Sequence, residues 1–206
     1  MLMSTKLSTK SSSKSIFRTA YDEVRRPLVL IVFLLCAAVL SAVYPSDLES
    51  YPVLHAGEAV PQAVTLTENY VRFVPTAIQV ALPVVLGDKV GLVQLVYVAV
   101  SATIATHGTK YLLNKRWIGH TRLGQRPNGG DSNMPSGHSS MASCAVYFVG
   151  RRYSIWLGLA LSVIMAMTMY ARVMLNAHTI SAVLAGALIG FAMTAVFTSA
   201  RRTAPA

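Results

Sequence analysis

The sequence predicts an all-α polytopic membrane bundle of six transmembrane helices, and three observations predict it. Of 206 residues, 53% are hydrophobic and only 13% charged, with a mean hydropathy of +0.50; an ordinary soluble domain is less apolar. The apolar residues fall in six runs of membrane-crossing length. The basic residues gather at the two ends and between the runs, in the manner of a membrane protein whose charges follow topology, with one basic loop against the positive-inside tendency. The formal net charge of +10 therefore reads as topology and attraction to an anionic lipid, with no nucleic-acid partner expected.

Each element follows in order. Residues 1–26 are rich in Ser, Thr and Lys and read as a cytoplasmic tail, with an amphipathic approach helix around 17–24. Residues 27–206 make the membrane domain. Its first span is 27–43, an uncleaved anchor, since Leu40-Ser-Ala42 is a poor signal-peptidase site. Residues 44–67 carry Asp47, Glu49, Glu58 and three prolines without Lys or Arg, and form a loop on the far side. The second span, 70–86, is interrupted by Pro75 and Pro83. After a tight turn at 87–89 the third span runs 90–106.

A basic loop follows, holding Lys110, Lys115, Arg116, Arg122 and Arg126. The fourth span is 135–149, closed by Arg151 and Arg152; the fifth is 155–170; the sixth, 179–198, is closed by Arg201 and Arg202. Glycines at 186 and 190, among alanines, give the sixth a small-residue face for close packing. With both termini cytoplasmic, three basic clusters lie inside and one basic loop lies outside. A cationic loop on the translocated side implies something anionic bound there.

That loop leads into the stretch from Arg126 to Ser140, RPNGGDSNMPSGHSS. Pro135 is pre-set for the first turn of a helix, and Ser136 and Gly137 leave backbone N–H groups uncrowded at its start. Such a start is an anion site. His138 stands beside it, able to exchange a proton near neutral pH. Downstream, Arg172 and His178 return to the same face. Taken singly, an Arg or His at a membrane edge is an interface anchor; two of each on two converging loops suit phosphoryl chemistry.

Arg126-Pro, then Pro-Ser-Gly-His, then Arg-x5-His resembles the three-part signature of the PAP2 (type 2 phosphatidic acid phosphatase) superfamily, over roughly 110–186. The stretches 66–75, 133–141 and 177–180 are similar to the bacterial lipid A 1-phosphatases within it. The resemblance implies a PAP2-like fold and a metal-independent lipid phosphatase without cofactor. Such an enzyme would sit in the bacterial inner membrane with its site on the periplasmic side. His178 would attack phosphorus, forming a phosphohistidine, and His138 would protonate the leaving oxygen and then activate water. Arg172, Arg126, Lys110 and the N–H groups of Ser136 and Gly137, placed by Pro135, would hold the phosphate oxygens.

Lipid A is the implied substrate. Undecaprenyl pyrophosphate, phosphatidylglycerol phosphate or transfer to a second lipid use the same chemistry. Two departures stand out. The first motif, Lys-x6-Arg-Pro, would put its lysine at Gly119, so Lys110 is the stand-in, with Lys115, Arg116 and Arg122 as other candidates. The third motif's acid falls on Ala182; a backbone carbonyl or Asp131 would then orient His178, or the chain is a non-catalytic lipid binder. Cys36 and Cys144 sit in apolar runs and read as packing residues, not a metal or disulfide pair. Oligomeric state is not written in the sequence.

Overall fold

The computed structural model describes residues 15–44 and 59–201. The tail before residue 15, the acidic Asp47, Glu49 and Glu58, and Arg202 fall outside that range. Helix α1 (Ile16–Asp22) appears where the approach helix is expected, its start capped by the Ser15 hydroxyl. It docks on the bundle: Ala20 is fully buried, and its carbonyl accepts from Gln94 Nε2 at 2.9 Å. The first apolar run forms α2 (Leu28–Val43), which packs on the last helix and turns Val29, Phe33 and Leu40 outward.

The second expected span is not one helix. α3 (Gln62–Asn69) begins inside the region expected as loop, a 3₁₀ turn spans Val71–Phe73, and α4 (Val74–Val85) follows. Pro75 forces the break, because it lacks the N–H that would bond the Val71 carbonyl and crowds that carbonyl with its ring. The third expected span runs on as α5 (Lys89–Leu113). Between Thr106 and Leu113 only Gly108 opposes the helix, at a cost of about 1 kcal/mol. His107 and Lys110 therefore stand on a helix, not in a loop. The all-α expectation also missed a small hairpin, Trp117–Ile118 (β1) with Thr121–Arg122 (β2), turning at Gly119 with φ 58°.

α6 (Gly137–Arg152), α7 (Ile155–Met174) and α8 (Ile180–Phe197) complete the chain. α6 is the hub, packed on α4, α5, α7 and α8. Around it Val98, Ala102, Cys144, Phe148, Val149 and Leu161 form the main core. Its approach to α8 has no room for side chains: a Cβ on Gly186 would lie 2.2 Å from the Ser136 carbonyl oxygen, and one on Gly190 2.3 Å from that of Ser140.

Of the described helices, α5, α7 and α8 are long and apolar enough to cross a membrane. α2 and α6, at 16 residues, and α4, at 12, are shorter than the expected six spans require. Large exposed apolar side chains cover α2, α5 and α7, among them Phe33, Ile104 and Trp156, a surface that water does not tolerate. This is a membrane protein.

One end of the bundle is closed by a buried polar knot. Arg152 donates to both oxygens of Asp88, at 2.6 and 2.7 Å, and to Gln94 Oε1 and the Ser199 carbonyl. Tyr153 and the Gly91 N–H also donate to Asp88. The other end, where α5 finishes and α6 and α8 begin, holds the site.

Candidate active site

A cavity of about 610 Å³ opens at that end. Its polar head is lined by Lys110 from the last turn of α5, Arg126 from the loop, Gly137 and His138 from the start of α6, Arg172 from the end of α7, and His178. Below the head the walls turn apolar, with Val80, Val96, Val98, Ala99 and Ala102 contributed by α4 and α5. Lys110 and Arg126 both donate to the Ser132 carbonyl, at 2.8 and 3.5 Å. That carbonyl faces them because Ser132 takes a left-handed turn with φ 66°, its N–H held by Asn114 Oδ1 at 2.9 Å.

His178 is almost fully buried, in the loop between α7 and α8. The N–H groups of Ala177 and His178 both turn back onto the Arg172 carbonyl, so arginine and histidine move as one unit. The ring's Nδ1 lies 2.7 Å from the Asn133 carbonyl oxygen. A carbonyl only accepts, so a neutral ring carries its proton on Nδ1 and leaves the Nε2 lone pair bare. Burial pushes His178 down to about 3, helped by Arg172, Lys110 and Arg126, against the opposing bond to Asn133. The charges acting on His138 come from the same three cations and from Arg72.

Behind Arg172 stands Glu68 of α3, whose Oε1 accepts from Arg172 Nη1 at 2.7 Å and lies 3.5 Å from Arg72 Nη1. Among the described residues no three His, Cys, Asp or Glu side chains gather in the manner of a metal site. What the cavity offers a ligand is cationic nitrogen and N–H.

The PAP2 superfamily matches residues 91–205 of this chain, more than half its length. The chain belongs to the PAP2 superfamily. Two relatives from Helicobacter pylori are lipid A 1-phosphatases. The one from strain J99 is 46% identical over 149 residues, covering 72% of this chain and 78% of the relative. The one from strain 26695 is 43% identical over 152 residues, covering 74% and 80%. A crystal structure of a transmembrane PAP2 type phosphatidylglycerolphosphate phosphatase from Bacillus subtilis aligns with a TM-score of 0.43 and 23% identity, over 82% of this chain and 92% of that one. This PAP2 protein is a phosphatase.

Six of the eight residues expected from the sequence of this PAP2 phosphatase line the cavity: Lys110, Arg126, Gly137, His138, Arg172 and His178. Two do not. Pro135 lies before the helix, not in its first turn, and faces a separate apolar pocket between α2, α5 and α8. Ser136 is the N-cap of α6, fully buried, and its N–H donates to the Ala182 carbonyl at 2.9 Å. It cannot also serve an anion. The helix itself leaves the N–H groups of Gly137 and His138 without an intrahelical partner, so its free N–H groups begin one residue later than expected.

Both open questions of the motifs receive a geometric answer. Of the four candidate first-motif cations only Lys110 reaches the cavity. Arg122 is tied to Asp131 at 2.6 Å and the Asn114 carbonyl at 3.2 Å, while Lys115 and Arg116 line a neighbouring groove. Asp131, engaged by Arg122, is not the group on His178; a backbone carbonyl is. Sequence reasoning missed Glu68 and Arg72. Their signal was an oppositely charged pair at i,i+4 spacing just before an apolar run.

Proposed function

We propose that this PAP2 phosphatase removes the 1-phosphate of lipid A at the periplasmic face of the bacterial inner membrane, through a phosphohistidine on His178. The observation that carries the reading is the cavity itself. Two imidazoles and three cations meet at its head, and its apolar wall runs between α4 and α5 where acyl chains would lie. The identity to two lipid A 1-phosphatases supports this substrate over other lipid phosphates. The buried Nε–H groups of Arg126 and Arg172 have no protein acceptor among the described residues, and phosphate oxygens would supply one.

The chemistry balances in two steps. Nε2 of His178 attacks phosphorus as the bond to the sugar oxygen breaks, and His138, protonated once the substrate phosphate offsets the surrounding cations, gives that oxygen its proton. The leaving group is a hemiacetal oxygen, better able to depart than an ordinary alkoxide. His138, now neutral, takes a proton from water as the water oxygen attacks the phosphohistidine, releasing phosphate and restoring His178. Lys110, Arg126, Arg172 and the Gly137 N–H carry the charge on the equatorial oxygens throughout. Phosphate ester hydrolysis is slow enough unaided that this electrostatic share must be the largest.

In this reading the chain makes six spans with both termini cytoplasmic, α3 and α4 crossing together and the polar knot lying inside. The test is mass spectrometry of lipid A from cells with and without the gene, alongside phosphate release by purified protein. Loss of the 1-phosphate in expressing cells, abolished by His178→Ala, is expected. Retention of that phosphate in expressing cells would remove the lipid A assignment, and equal phosphate release by wild type and His178→Ala would remove His178 as nucleophile.

A further inference from the structure

We propose that Asn133 and Thr179 act as positioning residues that together fix His178 in the Nδ1–H tautomer, doing with a neutral main-chain carbonyl what a carboxylate would otherwise do. The proposal rests on His178 being the nucleophile only for its effect on rate; its structural half stands alone.

The clamp is fully wired. Asn133 is buried, and each of its polar groups is engaged. Its N–H donates to the Gly124 carbonyl at 2.9 Å, and its carbonyl accepts from His178 Nδ1 at 2.7 Å. Its Oδ1 accepts from the Thr179 N–H at 3.0 Å, and its Nδ2 donates to Thr179 Oγ1 at 3.1 Å. Thr179 Oγ1 also accepts from the Ala182 N–H at 3.3 Å. Both hydroxyl lone pairs are then used, and its proton points to Ser181 Oγ at 2.9 Å.

Three consequences follow. The amide of Asn133 reads the two bonding groups of Thr179, the residue directly after His178, so the carbonyl and the ring it faces cannot drift apart independently. The site at 182 has no carboxylate to offer, since it is a fully buried alanine. And a carbonyl, unlike a carboxylate, cannot take up the Nδ1 proton, so the ring has a single tautomer with Nε2 toward the cavity.

The test combines ¹⁵N-histidine NMR on the detergent-solubilised protein with steady-state kinetics, the His178 signal being assigned by its loss in His178→Gln. Wild type should show a protonated Nδ1 and a bare Nε2. Thr179→Val should mix the tautomers and lower kcat with KM within about twofold. The expected fall is roughly 10- to 100-fold, the range for removing a partner that orients a functional histidine. Thr179→Ser should restore both readouts.

Thr179 also caps α8, so Thr179→Val alone could act through folding; Asn133→Ala leaves that cap in place and should reproduce both changes. An Nε2–H tautomer in wild type overturns the proposal without any variant. So does an unaltered tautomer and kcat in both Thr179→Val and Asn133→Ala. A clean Nδ1–H tautomer in wild type, together with full activity in His178→Ala, would instead spare the clamp and defeat the catalytic reading.

Discussion

Glu68 holds Arg172 by a 2.7 Å hydrogen bond across 104 residues of chain, and the same oxygen draws in Arg72 at 3.5 Å. All three side chains are largely buried, so the pairing fixes which edge of the Arg172 guanidinium is left for the cavity. Glu68→Ala is expected to lower kcat/KM on a lipid phosphomonoester by about 10- to 100-fold, the worth of one charge-assisted bond of roughly 1.5–3 kcal/mol. An unchanged value would mean that packing alone orients Arg172.

The Asp88–Arg152 knot predicts an acid-sensitive stability. Burial pushes Asp88 up, but the bonds from Arg152, the Gly91 N–H and Tyr153 outweigh it and hold the carboxyl at about 2, below its ordinary 3.8. A depressed carboxylate stabilises the fold fully above the unfolded value and loses that contribution as pH falls from about 4 toward 2. Thermal unfolding in detergent should show Asp88→Asn destabilised by about 3–5 kcal/mol at neutral pH, because it leaves Arg152 buried and uncompensated. The variant should also lose less than wild type over that acid window.

His178 makes the same argument at higher pH. Its folded value of about 3 lies below the ordinary 6.5, so the unfolded chain binds the proton first. Its contribution is complete above pH 6.5 and declines as pH falls toward 3. Between pH 7 and 4, wild type should lose more stability than His178→Gln; equal losses would show that the ring is solvated.

The close seam between α6 and α8 separates two glycines that look alike in sequence. Gly186→Ala would drive a methyl into the Ser136 backbone, whose carbon and oxygen lie 3.0 and 2.2 Å from the new atom. A loss of roughly 1–3 kcal/mol is expected from such overpacking, with reduced phosphate release as the corner before His138 shifts. Gly108→Ala meets nothing within 4 Å and should be neutral or gain about 0.5–1 kcal/mol in helix propensity. Melting temperature and activity of the pair give the comparison.

Much of this was legible in the chain. Every expected span has a helix at its place, and both histidines and both arginines of the motif reach one cavity. The errors were of boundary and commitment: the break at Tyr70 to Phe73, the long α5, and the Ser136 N–H already spent on Ala182. A helix start advertises free N–H groups, but only neighbours in space reveal which are taken.

The sequence by itself determined the membrane bundle and most of the residues that meet at its head, because hydropathy runs and a Pro-Ser-Gly-His helix start act over a few residues. Only the tertiary structure decided which groups orient the reactive ones. The Asn133 carbonyl meets His178 across 45 residues, Glu68 meets Arg172 across 104, and Asp88 meets Arg152 across 64. A buried donor takes whichever acceptor packing brings within 3 Å, and no local pattern in the chain encodes that distance.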